Sequence, residues 1–223
     1  PFVRLDDNEI SVRCLSCRAT TITLSLAAVL LHIFPSLDSK HVYELSSRGP
    51  LFKYLKRKCK KLTYSEFFSD TDPGEYKNGV QCQDVQRLTY EDESFDICTS
   101  TEVFEHVPND EKGFSEIYRV LKPNGVFIFT VPISIREKTI ERAEIIPGGG
   151  VNFLLPPEYH SDPIRSHEPI LAFRSYGYDV IERLLNVGFK RAELRSPGYD
   201  MAWGYTRPVI VAFRDNASNR DRE

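Results

Sequence analysis

An α/β domain built on a mostly parallel sheet is the fold class that these 223 residues predict, from three observations. Residues 95–131 read as one strand–helix–strand unit, strands and helices alternate along much of the chain, and VFIFTV (126–131) is apolar without interruption. Strands separated by helices imply crossover connections and hence parallel pairing. An unbroken apolar strand belongs inside such a sheet, covered on both faces.

Taken in order, residues 1–18 are polar and lack a clear period. Thr20 or Thr21 can cap a helix reaching about His32 and ending before Pro35. Its apolar run ITLSLAAVLLHIF (22–34) suits packing on the domain; a bilayer crossing needs about 20 residues. KHVYEL (40–45) alternates and reads as a strand, and Leu51, Tyr54 and Leu55 mark the helix after it. KKLTYSEFF (60–68) and VQCQD (80–84) are the second and third strands. SDTDPGEYKNG (69–79) between them is turn material without an apolar period, so the helix expected there is reduced or missing.

SFDICTS (94–100) is the fourth strand. The helix after it carries Phe114, Ile117, Tyr118 and Leu121 at i, i+3, i+4 and i+7, with Asn109 as its cap and Asp110 and Glu111 at the positive end of its dipole. Pro123 stops it and Asn124-Gly125 turns the chain. Residues 134–174 break the rhythm with PGGG and LPPEYHSDP and read as a long loop of functional or mobile character. Val180, Ile181, Leu184 and Leu185 then mark a helix stopped at Gly188, and FKRAELRS (189–196) and RPVIVAFRD (207–215) are closing strands.

With 41% hydrophobic and 27% charged residues, the composition is that of a globular protein with one substantial core. A net charge of −3 speaks against an electrostatic nucleic-acid binder and leaves nucleic acid an improbable partner. The one basic run, KYLKRKCKK (53–61), reads as a solvated helix end. Five cysteines without framework spacing suit reduced thiols in the cytoplasm. No leader or membrane span is expected, and a first residue that is Pro1 rather than Met leaves room for residues ahead of it.

In an open parallel sheet the ligand crevice lies at the carboxyl ends of the strands. Those ends carry Glu44, Glu66, Asp84 and, after the fourth strand, Ser100, Thr101 and Glu102. Carboxylates suit a ligand rich in donors, such as ribose hydroxyls, an exocyclic amine and an ammonium group. They repel a pyrophosphate, so a polyphosphate nucleotide is disfavoured.

The same stretches resemble a known family. VYELSSRG (42–49), CQDVQRLTYEDESFDICTSTEVFEHV (82–107) and RVLKPNGVFIFTVP (119–132) are similar to the serial motifs of class I S-adenosylmethionine-dependent methyltransferases, in particular the methyltransferase domain type 11 group. The resemblance spans about residues 40–133 and weakens beyond. It implies a three-layer, Rossmann-like, seven-stranded sheet with an antiparallel last strand. It further implies an N-terminal segment and packing helix over 1–39, and a methyltransferase-like domain over 40–223 with a substrate-side insertion at about 134–174.

By the same resemblance, S-adenosylmethionine would be the cofactor and S-adenosylhomocysteine the product. Glu44, Ser46 and the loop through Gly49 would hold the methionine end, Glu66 the ribose and Asp84 the adenine amine, with Val85 beside the ring. Ser100, Thr101 and Glu102 would border the methionine portion, and Glu105-His106 would lie at the cofactor rim. The family's first motif follows E/D-x-G-x-G-x-G, whereas ELSSRG keeps only Gly49. That departure motivates a rival reading, a non-catalytic binding or scaffold module. A nicotinamide oxidoreductase would need a pyrophosphate loop, which ELSSRG makes poorly.

Tyr159 and His160, within PPEYHSDPIRSHE (156–168), are candidate general bases for the acceptor, beside Asp162 and His167. Cys14 and Cys17 have metal-ligand spacing, but a structural zinc takes four ligands, so no metal is assigned. SPGYDMAWGYTRP (196–208) reads as a packing loop. The expected partner is a small or medium acceptor molecule; neither its identity nor the oligomeric state is legible.

Overall fold

The computed structural model describes residues 1–5, 12–161, 169–197 and 207–215. Strands β1 (Phe2–Arg4) and β2 (Val12–Cys14) pair antiparallel ahead of helix α1 (Thr21–Ile33). Then come β3 (His41–Glu44), α2 (Gly49–Lys58), β4 (Lys61–Glu66), β5 (Tyr76–Lys77), β6 (Val80–Cys82) and β7 (Phe95–Thr101). A 3-10 turn (Phe104–His106) leads into α3 (Asp110–Val120) and β8 (Leu121–Thr130). Six short strands follow: β9 (Ile140–Glu141), β10 (Ala143–Ile145), β11 (Val151–Phe153), β12 (Glu158–Ser161), β13 (Pro169–Ala172) and β14 (Arg174–Ser175). The chain closes with α4 (Val180–Asn186), β15 (Arg191–Arg195) and β16 (Val209–Phe213).

The main sheet runs β15-β16-β8-β7-β3-β4-β6-β5. β8, β7, β3, β4 and β6 are mutually parallel, whereas β16 is antiparallel to both of its neighbours. This is the expected Rossmann-like sheet with its antiparallel last strand. It carries an eighth, two-residue strand, β5, at one edge. Residues 69–79 contain no helix; Asn78 and Gly79, with φ of 52° and 77°, form the two-residue turn that folds β5 back on β6.

Residues packed on the two faces form two cores, which makes the sheet the middle of three layers. Along β8, Val126 and Ile128 face α1 and α2, whereas Phe127 and Phe129 face α3 and α4. Along β16, Val209 and Val211 join the first core and Ile210 and Ala212 the second. Both strands are apolar throughout because both of their faces are covered. Helix α1 begins where Thr20 Oγ1 accepts from Thr23 N at 3.2 Å, and buries Leu26, Val29 and Leu30 against the sheet. Helix α3 begins where Asn109 Oδ1 accepts from Lys112 N at 2.9 Å, and buries Phe114 and Ile117.

The described part of the segment 134–174, residues 134–161 and 169–174, is not the unstructured loop that the sequence suggests. β9 pairs with β14, β10 with β11 and β12 with β13, all antiparallel. Strands of two to four residues, broken by glycine and proline, are too short to show a period of two. This insertion is fastened to the turn after β7, where Phe173 N donates to the Glu105 carbonyl at 2.8 Å. Asp162, His167 and residues 198–206, which hold Met201 and Trp203, lie outside the described residues.

Among the described residues no helix is long and apolar enough to cross a membrane. All five cysteines are free thiols.

Candidate functional site

The carboxyl ends of β3, β4, β6 and β7 share one edge of the sheet, and the loops leaving them carry the expected residues. Glu44 ends β3 with its side chain turned inward, 2% exposed, and Oε2 accepts the hydroxyl of Thr99 from β7. Burial pushes its carboxyl up to about 8, the Thr99 bond opposes that rise, and the nearby Glu66 charge adds to it. Glu44 is therefore largely protonated at neutral pH, not the exposed anion that a strand-tip acid suggests.

A carboxyl that keeps its proton in the folded state and loses it in the unfolded chain near 4.5 weakens folding as pH rises. The loss begins near pH 4.5 and is complete above about 8. Its full size is on the order of 5 kcal/mol. Glu44→Gln removes the titration, so thermal unfolding from pH 5 to 8 should show the variant gaining on the parent at each step. Parallel curves for the two proteins would disprove the assignment.

The β4 acid is tied to the first loop. Glu66, 2% exposed, accepts through Oε1 from Ser46 Oγ at 3.2 Å, Ser47 N at 2.9 Å and Ser47 Oγ at 3.0 Å. Arg48 Nε lies 4.0 Å from the same oxygen. The loop is thus shaped by two serine hydroxyls on a buried carboxylate. Gly49 is the glycine retained because its φ is +80°, a value that L side chains avoid. Ser46 and Ser47 are not among the residues with positive φ, so serine is tolerated at both positions.

After β6, Asp84 Oδ1 accepts from Gln86 N at 2.9 Å and from Gln86 Nε2 at 3.1 Å. Gln86 Oε1 in turn accepts from Asn109 N at 3.0 Å, joining this corner to the cap of α3. Val85 is buried beneath it, in the core on the α3 side.

At the end of β7, Ser100 Oγ and Thr101 Oγ1 are buried without a hydrogen-bond partner. Glu102 follows with φ of 51°, its N–H donating to the Thr130 carbonyl at 3.0 Å. A non-glycine residue held in the left-handed region marks a place where the surrounding structure imposes strain. Burial raises the Glu102 carboxyl, and burial followed by the Glu102 charge raises Glu105 well above the ordinary range.

The insertion brings its own candidates to this corner. β12 places His160 with Nδ1 3.9 Å from Glu105 Oε1, and His106 Nε2 lies 3.8 Å from the same oxygen. Tyr159, one residue earlier, is 51% exposed. The structure therefore unites Glu44, Ser46, Gly49 and Glu66 in one cluster and Ser100, Thr101, Glu102 and His160 in a second. Asp84 and Val85 form a third corner. Glu105 and His106, which the resemblance puts at the cofactor rim, belong to the second cluster. Their signal is the polar EH pair directly after a strand–turn, and its meaning depends on β12 and β13 folding back over it.

Residues 46–129 match the family model described as "Methyltransferase domain". Over those residues the chain is similar to the class I S-adenosylmethionine-dependent methyltransferases. The chain is 28% identical over 143 residues to 24-methylenesterol C-methyltransferase 2 of Arabidopsis thaliana, across 61% of its own length and 35% of that protein. It is 38% identical over 50 residues to the ubiquinone biosynthesis O-methyltransferase of Coxiella burnetii, across 22% of its own length and 21% of that protein. The chain thus spans about a third or less of the length of these curated relatives. Its fold is shared with an S-adenosylmethionine-dependent methyltransferase of Mesorhizobium loti, at TM-score 0.51 and 15% identity, over 83% of this chain and 96% of that one. S-adenosylmethionine is the cofactor of the family, and the 1,6-didemethyltoxoflavin-N1-methyltransferase of Burkholderia thailandensis, at TM-score 0.50, 15% identity and 87% and 79% coverage, holds S-adenosylhomocysteine.

Proposed function

We propose that the chain binds S-adenosylmethionine along the ends of β3, β4, β6 and β7 and passes its methyl group to a small or medium-sized acceptor. One observation carries this reading. The two acids assigned to ribose and adenine already hold donors of the kinds that those groups present. Glu66 accepts from two hydroxyls, as it would from ribose, and Asp84 from a primary amide N–H, as it would from an exocyclic amine. The donors in place belong to the chain itself and exchange for those of the cofactor. Ser100 and Thr101 offer two further buried hydroxyls without partners beside the methionine portion.

The sulfonium of the cofactor supplies an activated methyl group; the protein supplies binding, alignment and exclusion of water. Glu44, neutral and fixed by Thr99, braces the loop after β3 rather than contributing a charge. The insertion forms the acceptor side, where β12 carries Tyr159 and His160, either of which can take a proton from the acceptor. A net charge of −3 favours a small-molecule acceptor over a polyanion, and five free thiols accord with the reducing cytoplasm.

Titration calorimetry with S-adenosylmethionine and S-adenosylhomocysteine tests the reading. Micromolar binding is expected, weakened about tenfold or more in Asp84→Ala through loss of a charged acceptor worth roughly 1.5–3 kcal/mol. Folded protein that binds neither compound would instead support the scaffold reading.

A further inference from the structure

We propose that Glu105, His106 and His160 form a binding site for one divalent transition-metal ion of the zinc, manganese or iron(II) class. One ligand atom from each of the three lies within 4.8 Å of the others. The Glu105 side chain is 2% exposed, and neither of its carboxylate oxygens has a hydrogen-bond partner. Native interiors rarely leave a buried carboxylate in that condition, because the loss of hydration is uncompensated. A cation bound there would supply the missing partner.

The two histidines are set to supply the rest of the coordination. His106 Nδ1 lies 2.8 Å from the Leu171 carbonyl, which can only accept. Nδ1 therefore carries the hydrogen, and in the neutral ring Nε2 is the lone-pair nitrogen, 3.8 Å from Glu105 Oε1. His160 repeats the arrangement with its nitrogens exchanged. Its Nε2 lies 3.2 Å from the Glu158 carboxylate, which leaves Nδ1 as the lone-pair nitrogen, 3.9 Å from the same Glu105 oxygen. A carbonyl and a carboxylate behind the ligating rings are the outer partners that metal-binding histidines use to fix their tautomer.

The distances separate a metal from a shared proton. At 3.8 and 3.9 Å the nitrogens are too far from Glu105 for a hydrogen bond. Ligands at about 2.1 Å in a tetrahedral site stand about 3.4 Å apart, so closing on an ion from separations of 3.8, 3.9 and at most 4.8 Å takes shifts of up to about an ångström. Two imidazoles and one carboxylate suit the proposed metals and leave coordination positions open. A metal here engages His160, and Tyr159 is then the group on β12 left to take a proton from the acceptor.

The sequence hides this site because its ligands stand at 105, 106 and 160, a spacing without a motif, and only the β12–β13 hairpin closes the gap. The inference does not rest on the cofactor reading. The experiment adds Co2+ to chelator-treated protein in a Cys14→Ser/Cys17→Ser background, which removes the competing thiols, and follows the visible absorption. Saturation at one equivalent per chain, with competition by Zn2+ or Mn2+, is expected. Glu105→Gln and His160→Gln should each weaken binding at least about 100-fold while circular dichroism shows an unchanged fold. His160 sits at the partly exposed side of the cluster, so its variant is informative even where Glu105→Gln misfolds. Folded parent protein that takes up none of the three ions saturably, or undiminished binding by the folded variants, would overturn the proposal. Calorimetry of metal-free protein with S-adenosylmethionine reports on the cofactor site separately.

Discussion

Replacing Arg174 by methionine is expected to lower the stability of the fold by about 3–5 kcal/mol, the range for removing one member of a buried ionic network. Arg174 is 3% exposed and makes every bond its guanidinium can reach. Nη1 donates to the carbonyls of Phe104 and Val107 at 3.0 and 2.5 Å, and Nη2 to that of Pro108 at 2.7 Å. Nε donates to Glu141 at 3.1 Å and lies 3.6 Å from Asp110. Arg183 joins the same two acids, at 3.0 Å from Asp110 and 2.6 Å from Glu141, and the Tyr176 hydroxyl donates to Asp110 at 2.8 Å. The network pairs two cations with two anions, and methionine leaves three buried carbonyls and one acid short of donors.

Chemical denaturation measures the effect as a lower midpoint with an unchanged slope. Arg174→Lys should recover only part of the loss, since an ammonium cannot span three carbonyls. Arg183→Met, at a side chain 19% exposed, should cost less than Arg174→Met. Equal losses at the two positions would show that the carbonyl contacts contribute nothing. Those contacts hold the turn that presents Glu105 and His106, so the same residue links the stability of the insertion to the geometry of the site.

The second large effect concerns the serine loop, where two variants should move cofactor affinity in opposite directions. If Glu66 accepts the ribose hydroxyls as proposed, Glu66→Ala should weaken S-adenosylmethionine about 100-fold, from two charge-assisted bonds of roughly 1.5 kcal/mol each. Ser46→Gly/Ser47→Gly removes hydroxyls that compete for the same oxygen and should strengthen binding several-fold. The same double variant should be less stable without cofactor, because Glu66 loses donors from its own chain, and should regain stability as cofactor is added. Calorimetry and melting curves with and without cofactor distinguish the cases. Weaker binding in the glycine double variant would mean that the serine hydroxyls contact the cofactor instead of standing in for it.

Much of the core was legible in the sequence because its elements carry local signals. The cap at Asn109, the helical spacing of Phe114 and Ile117 and the unbroken run from Val126 each act over a few residues and emerge as read, whereas the helix ends at Val120, ahead of Pro123, and Leu121 already opens β8. The eighth strand was legible only in part: Asn78-Gly79 is a hairpin signal, but two-residue strands beside it show no period. In the insertion, pairings such as Ala143 with Phe153 and Glu158 with Ala172 join short segments whose order is set by contact with the turn after β7.

The candidate site divides along the same line. The acids at the strand ends follow from where strands stop, so Glu44, Glu66 and Asp84 could be named from the chain alone. Their chemical states could not. Glu44 is neutral because Thr99, 55 residues away, and the surrounding core bury it, and Glu66 is engaged because the loop folds back 19 and 20 residues to reach it. By itself the sequence determined the α/β class, the order of the parallel strands' elements and the edge on which a ligand would lie, since periodicity, caps and turns are local properties. The tertiary structure alone decided which acids keep a proton, which already hold a donor, and that His160 meets Glu105 and His106, because burial and pairing across the chain depend on which distant segments come into contact.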